Sequence, residues 1–370
     1  MNANHHPDNR LFSLDLLRGL DMFYLVAFGP FLSSILKANG LKSLNTFFSV
    51  HNWGGFTLYD LIMPLFIFVC GAAIPLAMKR RLDADGRPTR AFHAHVWSRF
   101  VMLWLLGMLT QGHLETLDIH QISPFCNTLQ MIAIGYVVAA YVLLAKSWTV
   151  RLLVPVLLSL GYGLFIHFGG DYTDAGNATV GPEIRILSFL LPADNPFARP
   201  EHVIADCTWF LPSLMMPVIT LSGAFATEIL SAKTLSAWRK VSFVALFGAG
   251  MMALGWGLEF AGVACVKQIF TVSFTFQAIA WSLFLLAALY VLTDIYRLRR
   301  GMGLFLLYGR HALAAYFLGC ICVSGAVVGF KQFAPDMYRG TVQRVSYFIV
   351  ITALLVIWHG YSEWRKEHKR

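Results

Sequence analysis

Nearly the whole chain is divided into apolar runs of bilayer length separated by short polar breaks, and this feature restricts the fold more than any other. In hydrocarbon every backbone N–H and C=O must be paired inside its own segment, so a run of about 20 apolar residues is stable as a spanning helix. The runs lie near residues 11–36, 58–78, 97–112, 128–144, 152–168, 209–230, 241–263, 270–293, 304–330 and 345–358. They predict an all-α, polytopic integral membrane protein of about ten transmembrane helices. The third and last runs are short and require tilting or amphipathic flanks. With 57% hydrophobic and 13% charged residues among 370 and a mean hydropathy of +0.61, no ordinary soluble domain fits beside the spans.

Residues 1–10 are polar and lack the charged, apolar and small-residue order of a cleavable signal, so the first run is expected to remain as a helix. Lys and Arg set the orientation, because basic loops stay on the cytoplasmic side. With the amino terminus inside, 20 of the 29 Lys and Arg fall in inner segments and 8 in outer ones, with Arg310 within a span. Both termini are therefore expected in the cytoplasm, with 1–10 as an inner segment and 361–370 as a basic tail. The net charge of +9 follows from the same rule and from attraction to anionic lipid, and gives no reason to invoke nucleic acid. No internal repeat of the kind that marks many transporters is visible. The six cysteines are scattered without zinc spacing, and His93 and His95 lack a carboxylate or thiol cluster, so no metal is expected.

Ionisable residues inside spans carry more information, because a charge there needs a partner or a wet cavity. Asp15, Arg18 and Asp21 recur every three residues on the first run, which fits a self-neutralising ion triad as well as a cavity lining. Asp60 opens the second run, where a carboxylate also complements a helix N-terminus. His51 precedes it by nine residues in Val50-His51-Asn52-Trp53-Gly54-Gly55-Phe56-Thr57-Leu58-Tyr59-Asp60. The Trp and two glycines allow that loop to dip into the interface and bring the imidazole toward the carboxylate. An imidazole takes a proton from an amine or hydroxyl near neutral pH, or attacks a thioester, and a carboxylate fixes its tautomer and supports the resulting cation. On spacing alone, the commoner role of such a histidine is that of an ordinary polar loop residue.

The run from Arg10, RLFSLDLLRGL, followed by His51 to Pro75, HNWGGFTLYDLIMPLFIFVCGAAIP, resembles the opening of the heparan-alpha-glucosaminide N-acetyltransferase family of transmembrane acyltransferases. NTLQMIAIGY (127–136), KQIFTVSF (267–274) and GRHALAAY (309–316) resemble later motifs of that family in order. The resemblance implies that residues 11–360 form a transmembrane acyltransferase domain. Acetyl-CoA would be used from the cytosolic side, and its acetyl group delivered to an amino sugar on the far side. It also implies that His51 is catalytic, as acetyl carrier or as base, with Asp60 as its carboxylate. Gln130 for the donor and Lys267 for the acceptor are candidates by motif match. Asn52, Trp53 and His311 join the acceptor side. Arg18 near the cytoplasmic mouth and the Lys79 to Arg81 run, which also fits an ordinary positive-inside anchor, are candidates for the donor. CoA phosphates call for Arg or Lys and its pantetheine arm for an apolar passage.

This chain departs from the family pattern at several positions. The His51 to Trp53 spacing is one residue shorter, Gly29 replaces an asparagine, Met131 an arginine, and His311 the late asparagine. Changes at pocket walls alter recognition more readily than they abolish a base or nucleophile, so the acceptor is expected to differ sooner than the reaction. A sugar transporter with a midplane site of broken helices, and a non-catalytic membrane protein of a sugar pathway, are the alternative classes. A homodimer is compatible with the family, although no helix face carries a strong Gly-xxx-Gly stripe. The short amino-terminal segment and the lack of a sorting motif point to a bacterial-type inner membrane.

Overall fold

The computed structural model describes residues 11–49, 53–78, 81–125, 127–199, 210–320 and 349–360. His51, Asn52, Lys79, Arg80, the terminal segments, residues 321–330 of the ninth predicted run and 345–348 of the tenth lie outside the described residues. In chain order the helices are α1 (Phe12–Phe23), α2 (Gly29–Ala38), α3 (Lys42–Ser49), α4 (Leu58–Ala72), α5 (Ile74–Met78), α6 (Arg90–Gln111), α7 (Thr128–Val142), α8 (Trp148–Gly169) and α9 (Val180–Leu190). They are followed by α10 (Met216–Ser231), α11 (Ala237–Phe260), α12 (Val272–Tyr290), α13 (Gly303–Arg310) and α14 (Ile349–Gly360). The protein is all-helical, and among the described residues the only strand-like pairing is the bridge Leu82–Pro88.

Among the described residues, six stretches are long and apolar enough to cross a membrane: Phe12–Lys37, Leu58–Met78, Trp148–Gly169, Pro212–Ser231, Ala237–Phe260 and Val272–Ile295. They coincide with the first, second, fifth, sixth, seventh and eighth predicted runs. The third run lies in α6, whose 22 residues extend ~33 Å at the helical rise. The fourth lies in the shorter α7. The ninth is interrupted at His311 (φ −116°, ψ 31°) and resumes over 312–320.

The chain divides into two compact units. In the first, which includes 53–56 and 63–287, α10 is buried along most of its length. Ile74, Met78, Phe92, Val96, Tyr136, Ala139, Leu221, Ala224 and Phe225 form a continuous apolar cluster. Close helix approach requires glycine here: a Cβ at Gly71 would lie 2.0 Å from the Thr220 carbonyl oxygen, and one at Gly223 2.1 Å from that of Phe68. Helices α6 and α7 form an antiparallel hairpin, since Phe92 meets Tyr141 at one end and Gly107 meets Asn127 at the other. Helix α11 buries only Val244, Gly248, Met252 and Gly255, a narrow stripe at helical spacing, and exposes Leu246, Leu254 and Trp256. That pattern suits a helix with protein on one side and lipid on the other.

The second unit contains 11–49, 57–62, 288–320 and 349–360 among the described residues. Pro30 has no N–H to continue the ladder of the first helix, and the chain absorbs this with a π turn at Tyr24–Phe28, in which the Gly29 N–H reaches the Tyr24 carbonyl. A Cβ at Gly29 would stand 2.8 Å from that oxygen, which explains a glycine at this position. Helices α1 and α13 cross where Gly19 faces Phe305 and Gly309, and further along Gly319 meets Val26, so the two run in the same direction. Ser33 and Asn45 join α2 to α3 through a 2.9 Å hydrogen bond.

Candidate active site

The loop that opens the second span is held in place by three unlike contacts within the first unit. Trp53 Nε1 donates to the Tyr172 carbonyl at 2.7 Å, the Gly55 N–H donates to the Cys265 carbonyl at 2.9 Å, and the Phe56 ring lies 5.5 Å from that of Phe274. Gly55 adopts φ +90°, a conformation that glycine takes without steric penalty. Trp53 therefore sits on the loop around Tyr172, where Asp171 secures a tight turn through the N–H and hydroxyl of Thr173.

The carbonyl that receives Gly55, that of Cys265, lies two residues before the KQIFTVSF motif. Its turn is closed by Phe270 N–H to the Lys267 carbonyl (2.9 Å) and Thr271 N–H to the Val266 carbonyl (3.1 Å), while Thr271 Oγ1 accepts from Val266 N–H. Ser273 Oγ donates to the Ala264 carbonyl at 2.8 Å. The motif's hydroxyls thus hold the turn, and Lys267 is carried on it in a buried position, 8% exposed. Trp53 and Lys267 are joined indirectly through the Gly55–Cys265 contact.

Asp60 belongs to the second unit. It is 1% exposed, and its Oδ2 accepts the N–H (3.1 Å) and hydroxyl (2.6 Å) of Thr57. The Asp60 N–H returns to the Thr57 carbonyl. This reciprocal arrangement caps the start of α4 and satisfies donors that a helix N-terminus otherwise leaves open. One carboxylate oxygen is committed to the cap, which holds the group rigidly where its charge also favours the helix dipole.

The other candidates fall into different surroundings. Gln130 closes a capping box on α7: its Oε1 accepts the Asn127 N–H (3.2 Å) and its Nε2 donates to the Pro124 carbonyl (2.7 Å). Arg18 is half-buried on α1. Of the two readings of the Asp15, Arg18 and Asp21 spacing, a closed triad is not made at Asp21, which is 3% exposed and has no hydrogen-bond partner for either carboxylate oxygen among the described residues. His311 Nε2 lies 3.1 Å from His359 Nδ1, a pairing of two distant helices that sequence spacing does not reveal. Among the described residues no group of three or more His, Cys, Asp or Glu gathers.

Two further loops of the first unit are clipped together. His120 Nδ1 lies 2.7 Å from Asp194 Oδ1, and Asn195 Nδ2 donates to the carbonyls of Ile119 and Ile122. The Asp194 hydrogen bond raises the His120 pKa, and the same bond lowers that of Asp194. Nearby, Glu183 accepts the Leu211 N–H at 2.6 Å; burial pushes its carboxyl up to about 7, partly opposed by the N–H groups of Leu211 and Phe210.

Residues 10–173 match a family described as a domain of unknown function, DUF5009. The similar region runs from α1 through α8 and includes His51, Asp60 and Gln130. Comparison with curated proteins finds no match.

Proposed function

We propose that this chain is an integral membrane acyltransferase of about ten spans, with both termini in the cytoplasm of a bacterial-type inner membrane. It moves an acetyl group from cytosolic acetyl-CoA to an amino sugar on the outer side. The observation that carries the reading is the continuous block HNWGGFTLYDLIMPLFIFVCGAAIP. Its glycine loop is pinned by Trp53 and Gly55, and its Asp60 is buried and preorganised at a helix start. Preorganised charge of this kind is what a site for proton transfer requires.

In the reaction, His51 takes the proton of the acceptor amine as nitrogen attacks the thioester carbonyl, or first accepts the acetyl group itself. Asp60 supports the imidazolium in either route. The C–S bond breaks, the acetyl group ends on nitrogen, and the proton leaves with CoA thiol. Gln130 and Arg18 on the donor side, with Asn52, Trp53, Lys267 and His311 on the acceptor side, complete the reading.

The parallel course of α1 and α13 supports the span count. Two helices that run the same way must be separated by an odd number of crossings, and the predicted topology places seven between them. The contact of Asp294 with the start of α1 likewise agrees with the eighth span ending on the side where the first begins.

The test is a proteoliposome assay with radiolabelled acetyl-CoA and glucosamine, comparing wild type with His51→Ala. Label on the sugar with wild type alone is expected. Absence of transfer to the sugar, together with absence of CoA binding, would favour a transporter or a non-catalytic sugar-pathway protein.

A further inference from the structure

Arg99 is a half-buried guanidinium on α6. It stands two residues inside the third apolar run, and the positive-inside pattern by itself assigns it nothing more than an anchoring charge. Its Nη2 donates to Cys70 Sγ at 3.0 Å, and its carbon lies 4.5 Å from the centre of the Tyr136 ring. Among the described residues it forms no ion pair. Arginine carries five donors in a rigid fork, and the Cys70 thiol and the Tyr136 side chain do not engage all of them. A half-buried charge beside apolar helices is favoured by an anion facing it.

The surroundings add positive charge. His95 is one helical turn before Arg99 on α6, so the two share a face. Arg81 is brought to the start of the same helix by the loop 81–89: the Thr89 hydroxyl donates to the Arg81 carbonyl at 2.7 Å while also accepting the Phe92 N–H as the α6 cap. The Arg81 side chain spends Nη1 on the Ala77 carbonyl. His95 feels the charges of both Arg81 and Arg99.

We propose that Arg99, flanked by His95 and Arg81, is the anchor of a phosphate-ester site at this end of the first unit. Paired oxygens of a phosphate match the fork of an arginine. CoA and a lipid headgroup both present such a group. The inference rests on the acyltransferase reading only in naming CoA as its source.

The test uses the full chain purified in neutral detergent, with radiolabelled CoA and unlabelled pantetheine, which lacks phosphate, as ligands. Wild type and Arg239→Gln, which removes one exposed cation elsewhere, are expected to bind CoA alike. Arg99→Gln should weaken CoA about ten- to hundredfold, as expected for a lost charge-assisted pair, and leave pantetheine unchanged. Arg99→Lys keeps the charge without the fork and should lose about tenfold; it supplies the comparison if Arg99→Gln does not elute as a folded species. Equal CoA binding by wild type and both Arg99 variants overturns the inference while the acyltransferase reading stands. If wild type binds no CoA yet retains labelled phosphatidylglycerol in an Arg99-dependent manner, the phosphate site holds and the donor reading fails. Loss of neither ligand's binding, or binding of neither by wild type, overturns the site.

Discussion

The Asp294 carboxylate accepts the Ser13 backbone N–H at 3.0 Å, so the π turn after α12 closes the first turn of α1 across 281 positions of chain. The Phe12 N–H reaches the other carboxylate oxygen at 3.3 Å. Arg299 lies over the Phe12 ring at 4.7 Å, and Leu11, the residue before α1, supplies no side-chain cap of its own. A helix start without a local cap is satisfied here by a distant acid, which also complements the helix dipole.

Removing that acid tests the arrangement. Asp294→Ala is expected to destabilise the protein by about 1 kcal/mol, the usual worth of a helix cap, and Asp294→Asn by less, since its amide oxygen still accepts. Thermal unfolding in detergent measures both, and hydrogen exchange at Phe12 and Ser13 should quicken in the alanine variant. Unchanged exchange would show that the contact does not protect the turn.

The glycine crossings make a paired prediction. A Cβ at Gly19 would lie 1.9 Å from the Phe305 carbonyl oxygen, and one at Gly309 2.4 Å from that of Asp15. Gly19→Ala should therefore force α1 and α13 apart and lower stability by about 1–3 kcal/mol. Gly250 in α11 has open space around its Cβ position, so Gly250→Ala should be neutral or stabilising by up to about 1 kcal/mol. Comparable losses in the two variants would contradict the close approach.

Glu183 gives the expected pH response. Its folded pKa is raised from the ordinary 4.5 to about 7, chiefly by burial. The protonated form therefore favours the folded state: its contribution is fully present below pH 4.5 and is lost as pH rises through 7. On the order of 3 kcal/mol is at stake. Glu183→Gln, which keeps an acceptor for Leu211, should flatten the stability profile between about pH 4.5 and 7 and be the more stable protein at pH 8. A profile parallel to wild type would remove Glu183 as its cause.

For the proposed reaction, Asp60→Asn and Thr57→Val separate charge from positioning. Asp60→Asn should abolish acyl transfer while the protein stays folded. Thr57→Val removes the 2.6 Å hydroxyl contact but not the carboxylate, and should slow turnover about tenfold. Wild-type turnover in both would move the chemistry away from this helix start.

The helices were largely legible in the sequence, because the length of an apolar run is a local property matched against hydrocarbon thickness. Six of the predicted runs appear as helices long enough to span, and the His51 to Asp60 loop is visible as a motif. Its glycines and its carboxylate foretell a turn that leads into a helix cap. The residues that receive the loop, Tyr172 and Cys265, have no signal of their own, since each contributes only a backbone carbonyl.

What the sequence alone determined, then, is an all-helical chain of bilayer-length segments and the chemical character of one loop. Tertiary packing decided the rest. It turned Asp294 into the cap of α1, set Gly19 against Gly309, left Asp21 outside the triad that its spacing suggests, and placed Arg99 between Cys70 and Tyr136. Helical periodicity governs neighbours three or four residues apart, but which helices meet, and so which polar groups find partners, depends on how whole apolar surfaces fit together.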